Sequence, residues 1–339
     1  MSEYFLRTLF VHTPGTRLGL QGDAVIAKRE GAPTKRLPLN AIDSLVVLSG
    51  VDISTQLIAR CADDGRTVTL LSGFGKPRAV VLGAEAGRGS LRVAQYRAHL
   101  DAERRLHIAR DIVEGKITQM AWCLRQWARS SGAEATAALR ERAGEVERAI
   151  EALPIASTRE SLLGMEGSAT RLYFSGLNYA LRRVQWPGRA RRPPTDPVNA
   201  ALSFFYALAR SAVHGGLHAA GLDPYAGFLH GDRSDQPSLC LDLLEEFRPT
   251  VDFLTVKLFN LGSLQDRHFT VELGGSCCLT DAGREIAMQA WHDWRTAQVQ
   301  LRGVVGPVAR AAIPCMQATR LAHAIRVCGP YRAHCQLVR

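Results

Sequence analysis

At 339 residues, with 46% hydrophobic and 22% charged side chains, the chain is long enough for two domains and apolar enough for a sizeable core, which excludes a disordered, collagen-like or low-complexity polypeptide. No run approaches the roughly 18 uninterrupted apolar residues of a membrane span, and the opening Met1-Ser2-Glu3-Tyr4-Phe5 lacks the basic start and apolar stretch of a secretory leader, so a cytoplasmic protein with no membrane partner is expected. The 42 Lys/Arg against 32 Asp/Glu leave a net charge of +10, a surplus that favours polyanions such as nucleic acid, although an arginine-rich composition alone produces the same excess.

In chain order, strands are expected over residues 5–11, 17–20, 24–27, 35–37 and 44–48, which are short apolar runs punctuated by Gly, Pro and Asn. Gly22-Asp23 marks a hairpin turn between the second and third. Residues 54–62 predict a helix capped by Ser54 and stopped before Asp63-Asp64-Gly65. Strands over 67–71 and 78–82 complete a small β-rich domain at 1–83. A linker at 84–91 follows, and from there apolar residues recur at three- and four-residue steps. That period predicts helices over 91–128, 133–153, 157–183, 197–220, 239–247, 249–259, 281–301 and 316–327, with Ser157-Thr158-Arg159-Glu160 as a capping box for the third. The chain therefore reads as α+β in two domains, the second all-α and spanning 92–339.

Gly227-Phe228-Leu229-His230-Gly231 places a lone histidine in a glycine-bounded turn. Asp242 and Glu245 follow as an i,i+3 pair on one helical face, opposite Leu239, Leu243 and Phe247. Carboxylates beside an imidazole suit a divalent cation, and oxygen donors with one nitrogen favour manganese or magnesium over zinc. The alternative is that both acids pair with Arg248 on a solvated face. Glu166 lies mid-helix between Gly164 and Gly167, each costing about 1 kcal/mol against alanine. It is either a third ligand, where a phosphate can come close, or the rim of a tight helix crossing.

Arg182, Arg183, Arg189, Arg191 and Arg192 fall in a loop at 182–194 with Trp186, Pro187, Gly188 and Pro193-Pro194. The prolines exclude helix, so the guanidiniums are expected on an extended, mobile segment suited to a phosphate backbone, or else on a solvated loop. Residues 294–339 hold seven arginines and no acid, which fits a further phosphate contact or an arm toward another subunit. His214 and His218 resemble half a zinc site, but Gly215 stands where a zinc protease carries its glutamate, and both read as structural. Cys315, His323, Cys328, His334 and Cys335 crowd the C-terminus at spacings that match no familiar zinc site.

Taken jointly, several segments resemble one family, the CRISPR-associated integrase that forms the endonuclease subunit of the spacer-acquisition complex. They are Gln95-Tyr96-Arg97, Ile108-Ala109-Arg110, Lys116-Ile117, Gly164-Met165-Glu166-Gly167, Arg191-Arg192-Pro193-Pro194, Asp196-Pro197-Val198-Asn199-Ala200, Gly221-Leu222-Asp223-Pro224-Tyr225, and the stretch from His230 to the Leu-Asp-Leu-Leu-Glu-Glu-Phe-Arg-Pro run ending at Pro249. The resemblance implies a β-sandwich N-terminal domain that mediates homodimerisation and an all-α catalytic domain. It implies divalent-metal ligands at Glu166, His230 and Glu245, with Asp242 as a supporting acid. It also implies two such dimers flanking a dimer of a small ferredoxin-like partner, acting on spacer-precursor and repeat DNA. Arg182, Arg183, Arg189, Arg191, Arg192 and Arg248 are the candidate DNA contacts. An aromatic residue present in some relatives has Arg210 near its place here, and no aromatic is assigned that role. Two rivals remain: a metal-dependent repair nuclease, which uses the same ligands but needs no 3′-hydroxyl donor, and a DNA-binding scaffold, which needs no metal.

Overall fold

The computed structural model describes residues 8–11, 13–42, 44–71, 77–81, 83, 89–190, 193–231, 236–301 and 306–333. Expectations for residues 5–7, 82 and most of the linker, at 84–88, lie outside them. The strands of the N-terminal region are β1 (Thr8–Val11), β2 (Arg17–Gln21), β3 (Ala24–Lys28), β4 (Lys35–Pro38), β5 (Ser44–Leu48), β6 (Asp52–Ile53), β7 (Thr67–Leu71) and β8 (Pro77–Val81), with helix α1 (Thr55–Asp63) between β6 and β7. They form two four-stranded sheets, ordered β4-β3-β2-β6 and β1-β5-β7-β8. The β2–β3 hairpin turns through Gly22, whose φ of +56° is one that L side chains rarely adopt. Ser54 caps α1 by accepting from the Leu57 amide at 3.3 Å.

Strand β5 pairs in parallel with both β1 and β7 and is buried along its whole length, as a strand covered on both faces must be. Its side chains alternate. Leu45 and Val47 join Leu18, Val25, Leu57, Cys61 and Val68 in the core between the sheets, whereas Val46 and Leu48 join the larger core formed by the helices. The sheet is therefore a wall shared by two cores.

The helical region comprises α2 (Gly89–Leu100), α3 (Ala102–Ala128), α4 (Ala133–Ala152), α5 (Arg159–Ala180), α6 (Pro197–Ala220), α7 (Ser238–Glu245) and α8 (Arg248–Asn260). A hairpin of β9 (Phe269–Val271) and β10 (Cys277–Leu279) follows, then α9 (Asp281–Thr296), a second hairpin of β11 (Gln298–Gln300) and β12 (Pro307–Ala309), and α10 (Ile313–Arg326). The two hairpins correct the all-α expectation. The single helix expected over 91–128 is two, because Asp101 leaves helical geometry and caps α3 by accepting from the Arg104 amide. The cap of α5 is Thr158, which accepts from Ser161 N, one residue later than the capping box expected. No helix among the described residues is long and apolar enough to cross a membrane.

Candidate metal centre

Five helices converge on one cavity of about 260 Å³, lined by Lys116 of α3, Glu166 and Thr170 of α5, Tyr206 of α6, His230, Glu245 of α7 and Arg248 of α8. The three residues expected as ligands, 64 to 79 positions apart along the chain for Glu166 against His230 and Glu245, share this cavity. Among the described residues nothing lies within 4 Å of where a Cβ would stand on Gly164 or Gly167, so these glycines do not mark a tight crossing with any described helix.

The turn carrying His230 is held from two sides. Asp242, fully buried, accepts from the amides of Phe228 (2.5 Å), Leu229 (2.9 Å) and His230 (2.8 Å) and bonds His230 Nδ1 at 2.7 Å. The carbonyl oxygens are met from the opposite side: Gln95 Nε2 donates to those of Asp223 and Ala226, His99 Nδ1 bonds that of Gly227, and Arg105 Nε donates to that of Phe228. Gly227 is required by the close approach, since a Cβ there would lie 2.7 Å from both Asp242 Oδ2 and the Ser238 carbonyl carbon. With Nδ1 committed to Asp242, Nε2 is the nitrogen left for a ligand, the arrangement by which a buried carboxylate orients a metal-binding imidazole. Burial disfavours the imidazolium, but the Asp242 carboxylate outweighs it, and the His230 pKa lies above its ordinary value.

Glu245 is buried, and so is its neighbour Glu246, which points into a separate network with Tyr331 and Gln317. Glu245 Oε1 accepts from Arg248 Nε at 2.7 Å. Its Oε2 is ion-paired with Lys116 Nζ at 2.5 Å. Burial alone would raise this carboxyl; Arg248 and Lys116 overcome it and hold it well below the usual range. The solvated-face alternative thus gives way to a buried pair. Lys116 also donates to Glu166 Oε1, which accepts from Thr170 Oγ1 at 2.7 Å as well. Burial works against the ammonium, but Glu245 and Glu166 more than compensate, and its pKa is raised.

Among the described residues, no three His, Cys, Asp or Glu side chains stand close enough to share an ion as they are placed; here the Lys116 ammonium sits between the two glutamates. The donor chemistry nevertheless fits a divalent cation. Two carboxylates and an imidazole whose Nδ1 is held by Asp242 border one cavity, the oxygen-rich donor set with one nitrogen that such an ion takes.

The sequence model described as CRISPR associated protein Cas1 matches residues 9–293. The chain belongs to the Cas1 family. It is 35% identical over 333 residues to a CRISPR-associated endonuclease Cas1 of Rhodospirillum rubrum, and 34% identical over 327 residues to one of Moorella thermoacetica, with 95% of each chain covered in both cases. The solved structure of a Cas1 protein from Thermotoga maritima shares the fold at a TM-score of 0.79 and 22% identity, covering 94% of this chain and 97% of that one. A casposase bound to integration product does so at 0.81 and 20%, covering 96% and 92%. Cas1 relatives are thus similar to this chain through both the strand-rich and the helical parts.

The basic loop departs from expectation. Its described part is anchored rather than free: Trp186 is buried edge-on to Phe174, and Asn199, fully buried, accepts from Arg189 Nη1 (2.6 Å) and Ala190 N and donates to Gly188 O. Arg189 also lies 5.5 Å from the Tyr206 ring centroid at the cavity's edge. Arg182 donates to Ser130 O at 2.9 Å, and Arg183 lies against Gly262. Arg191 and Arg192 are outside the described residues. Arg248 is engaged with Glu245 and stacked 4.7 Å over Tyr206, so it lines the candidate site itself. Tyr206 is fixed in turn by donating to Asp252, which also accepts from Tyr173 at 3.0 Å.

Of the C-terminal Cys/His group, Cys315 is buried and Cys328 exposed, while His334 and Cys335 lie outside the described residues. Sequence reasoning assigned no site role to Lys116, Thr170 or Tyr206. Lys116-Ile117 was visible as a motif, but nothing local to it signals contact with two glutamates on other helices.

Proposed function

We propose that the chain is a metal-dependent DNA integrase and endonuclease of CRISPR adaptation, joining the 3′-hydroxyl ends of spacer DNA to a repeat. The observation that carries this reading is the convergence of Glu166, His230 and Glu245 on one cavity, with the His230 imidazole oriented by Asp242. These three residues hold the cation, manganese or magnesium by donor type. Bound there, the cation supplies Lewis acidity that polarises the scissile phosphate and lowers the pKa of the attacking hydroxyl.

The chain's own groups do the rest. Asp242 keeps Nε2 of His230 toward the site, Arg248 keeps Glu245 ionised, and Thr170 fixes the Glu166 carboxylate. The 3′-oxygen forms a P–O bond as the repeat's P–O bond breaks, so the phosphodiester count is conserved. Water in place of the hydroxyl makes the same site a nuclease. The helix surface at Gly164 and Gly167, open among the described residues, leaves room for the phosphate backbone, and Arg182, Arg183, Arg189, Arg191 and Arg192 supply positive charge to bind it. The assembly is read as two homodimers flanking a dimer of a small ferredoxin-like partner. A solved Cas6-RT-Cas1–Cas2 complex, whose chain is covered to 36% by 98% of this one at a TM-score of 0.80, supports the part of that reading in which a second Cas protein is a partner.

The test is strand transfer of a labelled short duplex into a supercoiled plasmid carrying the repeat, with the small partner present. Joining that requires both Mn²⁺ and the 3′-hydroxyl, and is lost in Glu166→Ala, is the expected result. Metal-dependent cutting without joining would make the protein a repair nuclease instead. Activity unaffected by Glu166→Ala would remove the glutamate from the ligand set.

A further inference from the structure

Lys116 is 5% exposed and stands between the carboxylates of Glu166 and Glu245, where a cation shared by those two residues would sit. The chain contains five lysines among its 42 basic residues, so arginine is its ordinary cation, yet the charge placed at its chemical centre is an ammonium. The difference has a physical meaning. A guanidinium's planar fork clamps carboxylates through two parallel bonds, whereas an ammonium is a point charge on a flexible four-carbon stem that can be withdrawn along its own length.

Resting on the metal-centre reading above, we propose that Lys116 is a displaceable placeholder: it neutralises Glu166 and Glu245 and keeps them together in the metal-free protein, and it yields the position when a divalent ion binds. Three observations support this. One ammonium at the end of a flexible stem is ion-paired to both carboxylates, so a single cation placed between them can take over both of its contacts. The cavity that Lys116 lines has a volume of about 260 Å³, enough to receive the ammonium once it leaves the glutamates. And without some cation the two carboxylates would share a buried site with Arg248 alone to balance them. The withdrawn ammonium then faces the cavity through which an anionic phosphate would enter, so one side chain would serve the resting and the loaded state in turn.

Two measurements on the full chain test this. The first is calorimetric titration of Mn²⁺ into wild type and Lys116→Met. The variant is expected to bind Mn²⁺ about tenfold more tightly or better, because no resident cation has to be displaced, and to melt at lower temperature in chelator with Mn²⁺ restoring the loss. Equal or weaker Mn²⁺ binding would overturn the proposal, since a merely structural lysine would loosen the site when removed.

The second measurement needs no variant and stands even where Lys116→Met fails to fold. Mild reductive methylation of wild type, read by mass spectrometry, compares Lys116 with the other four lysines. Lys116 is expected to be protected in chelator and to become reactive on adding Mn²⁺. Protection that Mn²⁺ does not change would sink the displacement step while leaving the metal site intact. Wild type that binds no Mn²⁺, or binds it just as well in Glu166→Gln, would instead bring down the metal-centre reading and this inference with it.

Discussion

His214 and His230 are both partly buried, lie sixteen residues apart in sequence, and have opposite chemistry. His230 has a carboxylate on Nδ1 and a pKa raised above the ordinary histidine value. His214 and His218 face each other at 4.6 Å between ring centroids, and neither Nδ1 has a hydrogen-bond partner among the described residues. Burial, then His218 and Arg210, push the His214 pKa down to about 4. Burial acts alike on both rings; the partner decides the sign. A histidine prepared for ligation is recognised by what orients it, and by that measure the 214/218 pair is packing.

The largest effect that would break this contrast is on catalysis. His230→Ala is expected to lower strand transfer on the order of 10³-fold or more with DNA binding intact, while His214→Ala stays within about twofold. Comparable losses in both would erase the distinction.

Asp242→Asn comes next. Removing the carboxylate that orients a ligating imidazole costs about 10–100-fold in metal affinity or activity, and the variant should also move the pH profile. His230 must be neutral to ligate, so activity rises with pH as the imidazole loses its proton, and the raised pKa places that limb above the ordinary histidine range. In the amide variant the largest raising influence is gone and only that of Glu245 remains, so the acid limb should shift to lower pH. A limb that stays in place would mean another group controls it.

Smaller still is Gly227→Ala, whose Cβ would meet Asp242 Oδ2 and the helix behind it at 2.7 Å. A loss of about 1–3 kcal/mol is expected, read as a lower melting temperature. Gly231→Ala, whose nearest neighbour among the described residues is an Arg159 nitrogen at 3.8 Å, should be nearly silent.

The smallest effect concerns stability against pH. His214 resists protonation in the folded state, so the stability it permits is complete above about pH 6.5 and is lost as pH falls toward 4. His214→Phe should flatten that part of a melting-temperature profile. His230 has the opposite sign: its contribution is complete below the unfolded value and lost as pH rises through the folded one.

How much of this was legible in the sequence follows the range of each interaction. Strand β5, the cap at Ser54 and the Gly22 turn depend on near neighbours, and residue order alone points to them. Asp242 and Glu245 could be paired because three residues along a helix bring side chains to one face, and that spacing also separated Glu245 from Glu246, which turns toward Tyr331 and Gln317. The ligand assignment of Glu166 rested on resemblance rather than periodicity. Lys116 was not legible as part of the site, because its meaning arises only when α3, α5 and α7 meet. Asn199 was missed as the anchor of the basic loop for the same reason: its partners Gly188, Arg189 and Ala190 precede it across a turn. The break at Asp101 was hidden by helix-forming residues on both sides.

Strand β5 has one more consequence. Since Val46 and Leu48 belong to the helical core and Leu45 and Val47 to the sandwich, the strand works as a party wall, and neither room can be vacated without opening the other to solvent. Removing the N-terminal sheets would strip a wall from the helices, and heating should melt both in a single cooperative step. A load applied to either half is then borne by both.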